Sequence, residues 1–491
     1  MNPLKKLAGQ TAIYGLPTIV GRLLNYLLVP LYTRAFIPAE YGVVTEMYAY
    51  VAFLFVILTY GMETAFFRFA SRQEGSSPVF GTAMVSLLTT SAVFALAGMY
   101  FSGGIASRMG YPGNPEYIRW FVLILAADAV SSIPYANLRL QSRPLRFAFI
   151  KIANIATNIG FNLFFIVLCP YLLSKYGNTP AGTLISGIYN PETGVGYIFI
   201  SNLIASLVTL ALLLPDILKG EYRINLKELR SMLIYAWPLL IFGLAGIVNE
   251  TFDRIVLKHL LPPGADSMAQ LGIYGACYKI SILMTLFIQT YRYAAEPFFF
   301  DQSKEKNAKE TYARMMHFFI LVCLFIFLGI MLFLDVVMLF VGPEYRSGAP
   351  VVPVLLLANL FLGIFYNLSV WFKLTDKTAH GAAISLTGAA ITLILNFILI
   401  PVMGYMGAAW ATFACYAAMM ILSYFMGQKY YPVNYNLKGA LAYAALAGLL
   451  LLAALLISPA SPWVRYSLNL MLLLVFPLVA WFWEKRRPAD T

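Results

Sequence analysis

The sequence is short of charge: Asp, Glu, Lys and Arg make up only 11% of its 491 residues, against roughly a quarter in an ordinary soluble domain. Cysteine and histidine are scarce too, with 4 and 3 copies. Cys169, Cys277, Cys323 and Cys415 are scattered through apolar runs without paired spacing, which argues against a disulfide framework or a zinc site and leaves them as small apolar fillers. His259, His317 and His380 stand at expected helix ends. No Walker loop, His-Glu-x-x-His motif or Gly-x-Ser-x-Gly elbow occurs, so an ATP-driven pump and a hydrolase have no support. The longest stretch without an apolar run, 171–196, is a Gly-, Pro-, Asn- and Thr-rich loop too short for a globular domain. A soluble catalytic or nucleic-acid-binding module is thereby excluded.

Hydrophobic residues make up 60% of the chain. Runs long enough to cross ~30 Å of hydrocarbon fall at about 9–32, 41–65, 79–101, 117–136, 147–170, 196–215, 232–259, 271–296, 314–334, 351–372, 381–400, 408–427, 438–457 and 465–483. The expected fold is an all-α polytopic membrane protein of about 14 transmembrane helices. Met1 to Gln10 carries Lys5 and Lys6 like a signal peptide, but the apolar run continues to about Tyr32 with Arg22 inside it and no cleavage pattern. It reads as a retained first helix.

An even number of spans places both termini on one side. One set of alternate loops holds 23 Lys and Arg, the other 8, and 3 lie inside spans. The bias puts both termini in the cytoplasm and accounts for most of the net charge of +12 without a nucleic-acid partner.

The chain also looks duplicated. Leu31 to Val51 and Leu257 to Ile280 share an outline: an apolar helix end, a proline turn, an aliphatic or aromatic residue followed by Gly, then a helix beginning with tyrosines. Two six-helix lobes related by a pseudo-twofold along the membrane normal are expected, at 1–215 and 216–431, with two extra helices at 432–491.

Polar residues inside spans carry the functional signal, because an ionised group at mid-bilayer costs about 2.5–3.5 kcal/mol on insertion scales and usually faces a cavity. Arg22 lies near the middle of the first span, with Asn25 one turn on. In the span at 271–296, Tyr278, Thr285, Gln289, Arg292 and Glu296 share one helical face, a stripe that is either an interhelical seam or a cavity wall. Lys279, on the same span, has no acidic residue three or four positions away and is read as a cavity cation. Asn249, Glu250, Asp253 and Arg254 cluster near the outer end of the preceding span, where Glu250 and Arg254 have the spacing of a local i, i+4 pair. Glu46, Glu63 and Asp128 are candidate partners of Arg22 or coupling-ion ligands. Lys151, Asn154, Asn158 and Asn162 form a further stripe, read first as helix–helix glue.

The opening LAGQTAIYGLPTIVGRLLNYLLVPLYTRAFIPAEYGVVTEMYAYVAFLFVILTYGMETAFFRF, with WPLLIFGLAGIVNETFDRIVLKHLLPPG and LGIYGACYKISILMTLFIQTYRYAAEPFFF, resembles the polysaccharide-exporter (Wzx-type) branch of the multidrug/oligosaccharidyl-lipid/polysaccharide (MOP) flippase superfamily. The resemblance implies a multi-pass protein of the bacterial cytoplasmic membrane, without catalytic chemistry. It would move an undecaprenyl-diphosphate-linked oligosaccharide between leaflets by alternating access, with no cofactor beyond sodium or proton coupling and with the polysaccharide polymerase machinery as a partner. It also implies cavity cations, for which Arg22, Arg254, Lys279 and Arg292 are the residues on offer.

The nearest rival is a cation-coupled multidrug exporter of the same superfamily, which needs unpaired carboxylates; Glu46, Glu63, Asp128, Glu250, Asp253 and Glu296 are available for that role. A glycosyltransferase or polymerase would need a large charged outer loop, whereas 171–196 carries only Lys175 and Glu192. A major-facilitator transporter is disfavoured by the loop from Arg68 to Arg72, which lacks the expected Gly and Asp pattern.

Overall fold

With so few charges and such long apolar runs, the backbone must satisfy its own hydrogen bonds, and helices do so within each segment. A computed structural model of the chain describes residues 21, 23–24, 26–71, 77–177, 179–220, 222–303, 305–457 and 459–486. Helices dominate, and no strand occurs among the described residues. Those of membrane-crossing length and apolarity are α1 Pro38–Ala70, α2 Pro78–Tyr100, α3 Pro115–Leu140, α4 Pro144–Tyr176, α5 Gly196–Leu218 and α6 Leu226–Leu260; then α7 Ser267–Gln302, α8 Ala308–Leu332, α9 Val351–Leu374, α10 Thr378–Met403, α11 Tyr405–Tyr430, α12 Leu437–Ile457 and α13 Pro462–Lys485. These match the expected spans from the second to the last. Most of the first span lies outside the described residues, and the short helix Val29–Ala35 is its end.

Local rules set several boundaries. Pro38, Pro115 and Pro144 open α1, α3 and α4, where a fixed φ helps and the missing N–H is not needed. At the head of α1, the Glu40 carboxylate accepts the Ile37 N–H at 3.2 Å. The membrane-crossing part of α7 is broken: Ser267–Ile280 and Ile282–Tyr293 meet at 45°. No Pro or Gly sits at the break. Instead the Ser281 hydroxyl donates to Tyr278 O at 2.7 Å and the Thr285 hydroxyl to Ile282 O at 2.9 Å, the side-chain competition for carbonyls that bends helices.

The chain divides into two compact units, one of residues up to Lys258 with 266–272, the other of 259–265 with residues from Ile273 onward. By packing, then, α6 goes with the first unit. The first has its core where Met62, Phe66, Phe80, Met84, Ile133 and Phe147 pack together. In that unit the glycines of the two similarly patterned segments meet: a Cβ on Gly272 would lie 1.9 Å from Pro38 O and 3.0 Å from Gly42 N, and one on Gly42 would lie 2.2 Å from Met268 O. Backbones this close tolerate no side chain.

The second unit packs Trp371, Phe372, Ile384, Tyr416 and Met419 into its core. Its last helix, α13, is tied to α8 at both ends. At one end Glu484 accepts from Tyr443 of α12 at 2.6 Å and pairs with His317 of α8 at 2.9 Å. At the other, Arg465 pairs with Asp335 and Asn469 donates to Leu332 O at 2.6 Å. Removing Glu484 leaves the Tyr443 hydroxyl buried without this acceptor. Glu484→Ala should therefore lower stability by about 1–3 kcal/mol, measured by thermal unfolding of the purified protein; a change below about 0.5 kcal/mol, as at an ordinary surface site, would show that the tie contributes nothing.

Candidate functional site

Helix α7 carries two of the cations singled out in the sequence. Lys279 stands at the bend, half-buried, directly before the Ile280–Ile282 break. Arg292 lies thirteen positions on, about 20 Å along a helix. It is exposed, and its guanidinium stacks 4.6 Å from the centre of the Tyr366 ring of α9. Beside it is a small recess of about 10 Å³, lined by Tyr291, Ala295, Tyr366 and Asn367 among others. The Tyr291 hydroxyl donates to Asn367 Oδ1 at 2.7 Å, and Asn367 Nδ2 to Gly363 O at 3.1 Å, which fixes both side chains on the recess wall. A guanidinium is a planar fork of donors, the geometry that matches a pair of phosphoryl oxygens. The Glu296 side chain, expected on the same stripe, lies outside what is described.

The interior of the first unit holds a second polar group. Asp128 of α3 lies beside Ser206 of α5 and feels the charge of Lys151 on α4. The Lys151 ammonium sits 4.2 Å over the Tyr135 ring. Asn154, one turn on, donates to Ala205 O at 3.1 Å and to the Thr209 hydroxyl at 2.9 Å. Nearby, Asn202 donates to the Tyr48 hydroxyl at 2.9 Å, and the Tyr32 hydroxyl donates to Asn162, which also donates to Asn158. The asparagine stripe is thus helix glue at Asn154 and Asn162, with Asn158 accepting from Asn162 within α4, while the charge of Lys151, at its head, acts on Asp128.

The remaining acids are answered differently. Glu46, about 12 Å along α1 from Pro38, is fully buried and pairs with Lys258 of α6 at 3.1 Å. Tyr111, in the turn before α3, donates to the same carboxylate, and Lys258 also donates to Met109 O and lies 4.3 Å from the Tyr111 ring centre. Burial and the adjacent Glu46 charge push the Tyr111 hydroxyl well above its ordinary pKa, so it remains a donor. Removing one member of a buried pair typically costs about 3–5 kcal/mol. Glu63 pairs with Arg139. Asp216 of α5 sits between Arg143 at 3.3 Å and Arg146 at 2.7 Å.

Arg254 is half-buried near Tyr41 of α1, and its backbone N–H donates to Asp253 at 2.8 Å. The local pair with Glu250 expected from spacing does not form: Glu250 is exposed and has no ion-pair partner among the described residues. Side chains at i and i+4 meet only if both rotamers turn the same way, and the half-buried Arg254 lies toward α1. Arg22 and Asn25 lie outside the described residues. Sequence reasoning passed over Lys258, counted only as a loop charge, and Tyr111. The available signal was Glu46 itself, an acid within a span with no basic residue three or four positions away.

No curated protein sequence matches the chain. A family model described as "Polysaccharide biosynthesis protein" matches residues 7–303. Among solved structures, the fold is similar to that of the lipid II flippase MurJ in an inward closed conformation, with TM-score 0.75 and 13% identity over 96% of this chain and 99% of that one. It is also similar to a multidrug resistance MATE family transporter of the MOP superfamily in an inward-facing conformation, with TM-score 0.64 and 14% identity over 85% and 97%. The Vibrio cholerae MATE transporter VcmN in its bent form gives TM-score 0.52 and 15% identity over 87% and 97%. The family match spans more than half of the chain, and the flippase and transporter fold extends over nearly all of it. The chain is therefore a multi-pass membrane protein of the polysaccharide biosynthesis protein family, with the fold of these flippase and transporter structures.

Proposed function

We propose that the protein is a flippase that carries an undecaprenyl-diphosphate-linked oligosaccharide from the cytoplasmic to the outer leaflet of a bacterial cytoplasmic membrane, with both termini cytoplasmic. A diphosphate bearing sugars is too polar to enter hydrocarbon unaided. Arg292 on the Tyr366 ring, Lys279 at the bend of the same helix, and Arg22 and Arg254 would supply charge-assisted hydrogen bonds to the phosphates, while the isoprenoid tail stays in lipid. Two duplicated lobes, 1–215 and 216–431, would alternate between cytoplasmic and outer access, with the pair at 432–491 added. The family match and the exposed, tyrosine-backed Arg292 are the observations that support this reading.

The rival reading, a cation-coupled multidrug exporter, needs carboxylates open to a cationic drug. Glu46 and Glu63 are each held by a cation. Asp128 has Lys151 beside it. Glu250 is exposed and has no ion pair among the described residues, but Glu46 and Glu63, the acids offered as partners or coupling ligands deeper in α1, are already neutralised, and this favours an anionic passenger. We assign sodium or proton coupling to Asp128, whose Ser206 contact and neighbouring ammonium make it responsive to an arriving cation.

In cells that depend on this protein for export, Arg292→Ala and Lys279→Ala should leave membrane insertion intact. Surface polysaccharide should fall roughly tenfold or more, about 1.4 kcal/mol per decade, and the lipid-linked intermediate should accumulate inside. Arg292→Lys should recover only part of the export, because a point charge replaces a planar fork. Unchanged export in the Arg292→Ala, Lys279→Ala double variant, with drug efflux gained on expression, would favour the rival. Asp128→Asn should remove the response of export to an imposed sodium or proton gradient; retention of that response would take coupling away from this residue.

A further inference from the structure

The Glu46 cluster is built from pieces far apart in sequence, and the function proposed above makes no use of it. It joins α1 through Glu46, the turn before α3 through Met109 and Tyr111, the end of α6 through Lys258, and the start of α7 through Met268, whose sulfur lies 3.8 Å from the Tyr111 hydroxyl. Gly110 holds φ at +82, and a Cβ there would lie 3.5 Å from Lys258 Nζ. The turn thus needs glycine for its conformation and wraps closely around the ammonium. On the orientation proposed above, all of these pieces lie at the outer face.

We propose that Glu46, Tyr111 and Lys258 form an outer latch, which keeps the outer ends of α1, α6 and α7 together while the passenger loads from the cytoplasm and opens once per cycle to release it. The inference rests on the transport reading for its direction.

Three features suit a reversible catch better than a permanent weld. The surfaces beside the latch meet at Gly42 and Gly272, backbone against backbone, so they can part without disengaging interlocked side chains. The partners are charged, and a buried ion pair has little net advantage over its hydrated components once water reaches both ends, whereas loss of one partner alone is costly. Lys258 is 15% exposed while Glu46 is fully buried. Water therefore reaches the ammonium first, and the Met109 carbonyl gives the ammonium a second acceptor as it leaves the acid.

The test uses the full chain with its four native cysteines replaced by alanine; all four are buried. A reporter, Met47→Cys, sits beside Glu46 at a position 2% exposed, and intact cells are treated with a membrane-impermeant maleimide. Glu46→Gln and Lys258→Met should each raise the labelling rate roughly tenfold, as expected for a shift toward the open population. Exchanging the charges, Glu46→Lys with Lys258→Glu, should return it to within about twofold of the parent.

Labelling at the parental rate in both single variants, with the protein monodisperse, would overturn the latch. So would a charge exchange that fails to restore protection, because general loosening and not lost attraction would then have opened the site. A control, Gly113→Cys, lies where a Cβ meets nothing within 4 Å and should react from outside in every variant. Its reaction only in inside-out vesicles would overturn the proposed orientation instead, and the reporter ratios, read from that face, would still decide the latch.

Discussion

Hydrocarbon does not solvate charge, so every ionised side chain carried into these spans has to be answered by an opposite charge, by water in a cleft, or by the headgroup region. The chain meets this constraint mostly by pairing. Glu46 has Lys258 and Tyr111, Glu63 has Arg139, Asp216 has two arginines, and Glu484 joins His317 to Tyr443. Each pairing joins helices distant in sequence, so neutralising charge and fastening the bundle are one act. Arg292 lies exposed, with its guanidinium flat on the Tyr366 ring.

Three features give α7 its character. Its first residues pack backbone to backbone with α1, its middle bends where Ser281 and Thr285 take carbonyls away from the helix ladder, and beyond the bend it presents Arg292. The helix is thus tight at one end, broken in the middle and exposes a cation at the other. Long polar stripes in membrane helices are costly unless they face water or one another, and the stripe from Tyr278 to Arg292 is interrupted by the bend where its direction changes.

Much of this was legible in the sequence, and the reason is physical. Spans follow from apolar length alone, which is why the expected runs from 41–65 to 465–483 all reappear as helices. The two similarly patterned segments each hold a glycine, Gly42 and Gly272, whose backbones lie against one another, and nothing in the sequence said that they touch. Pairings were legible only where they are local, and even there the Glu250–Arg254 spacing misled, because rotamers and neighbours decide between two outward directions. Glu46 with Lys258 and Asp128 with Lys151 are separated by 212 and 23 positions; such contacts are set by how helices pack, and no periodicity encodes them. The bend in α7 was missed for a related reason: serine and threonine bend a helix only in one rotamer, unlike proline.

The central claim is that cationic side chains on α7 receive a phosphate-bearing lipid head group. The most direct measurement is translocation of a fluorescent polyprenyl-diphosphate oligosaccharide in vesicles holding the purified protein, read as the fraction of probe shielded from an added membrane-impermeant quencher. The account requires saturable, protein-dependent translocation that inorganic pyrophosphate inhibits and that fails when the diphosphate is replaced by a neutral linkage. Equal translocation of the neutral-linked probe would contradict it, because the phosphates would then have no part in recognition.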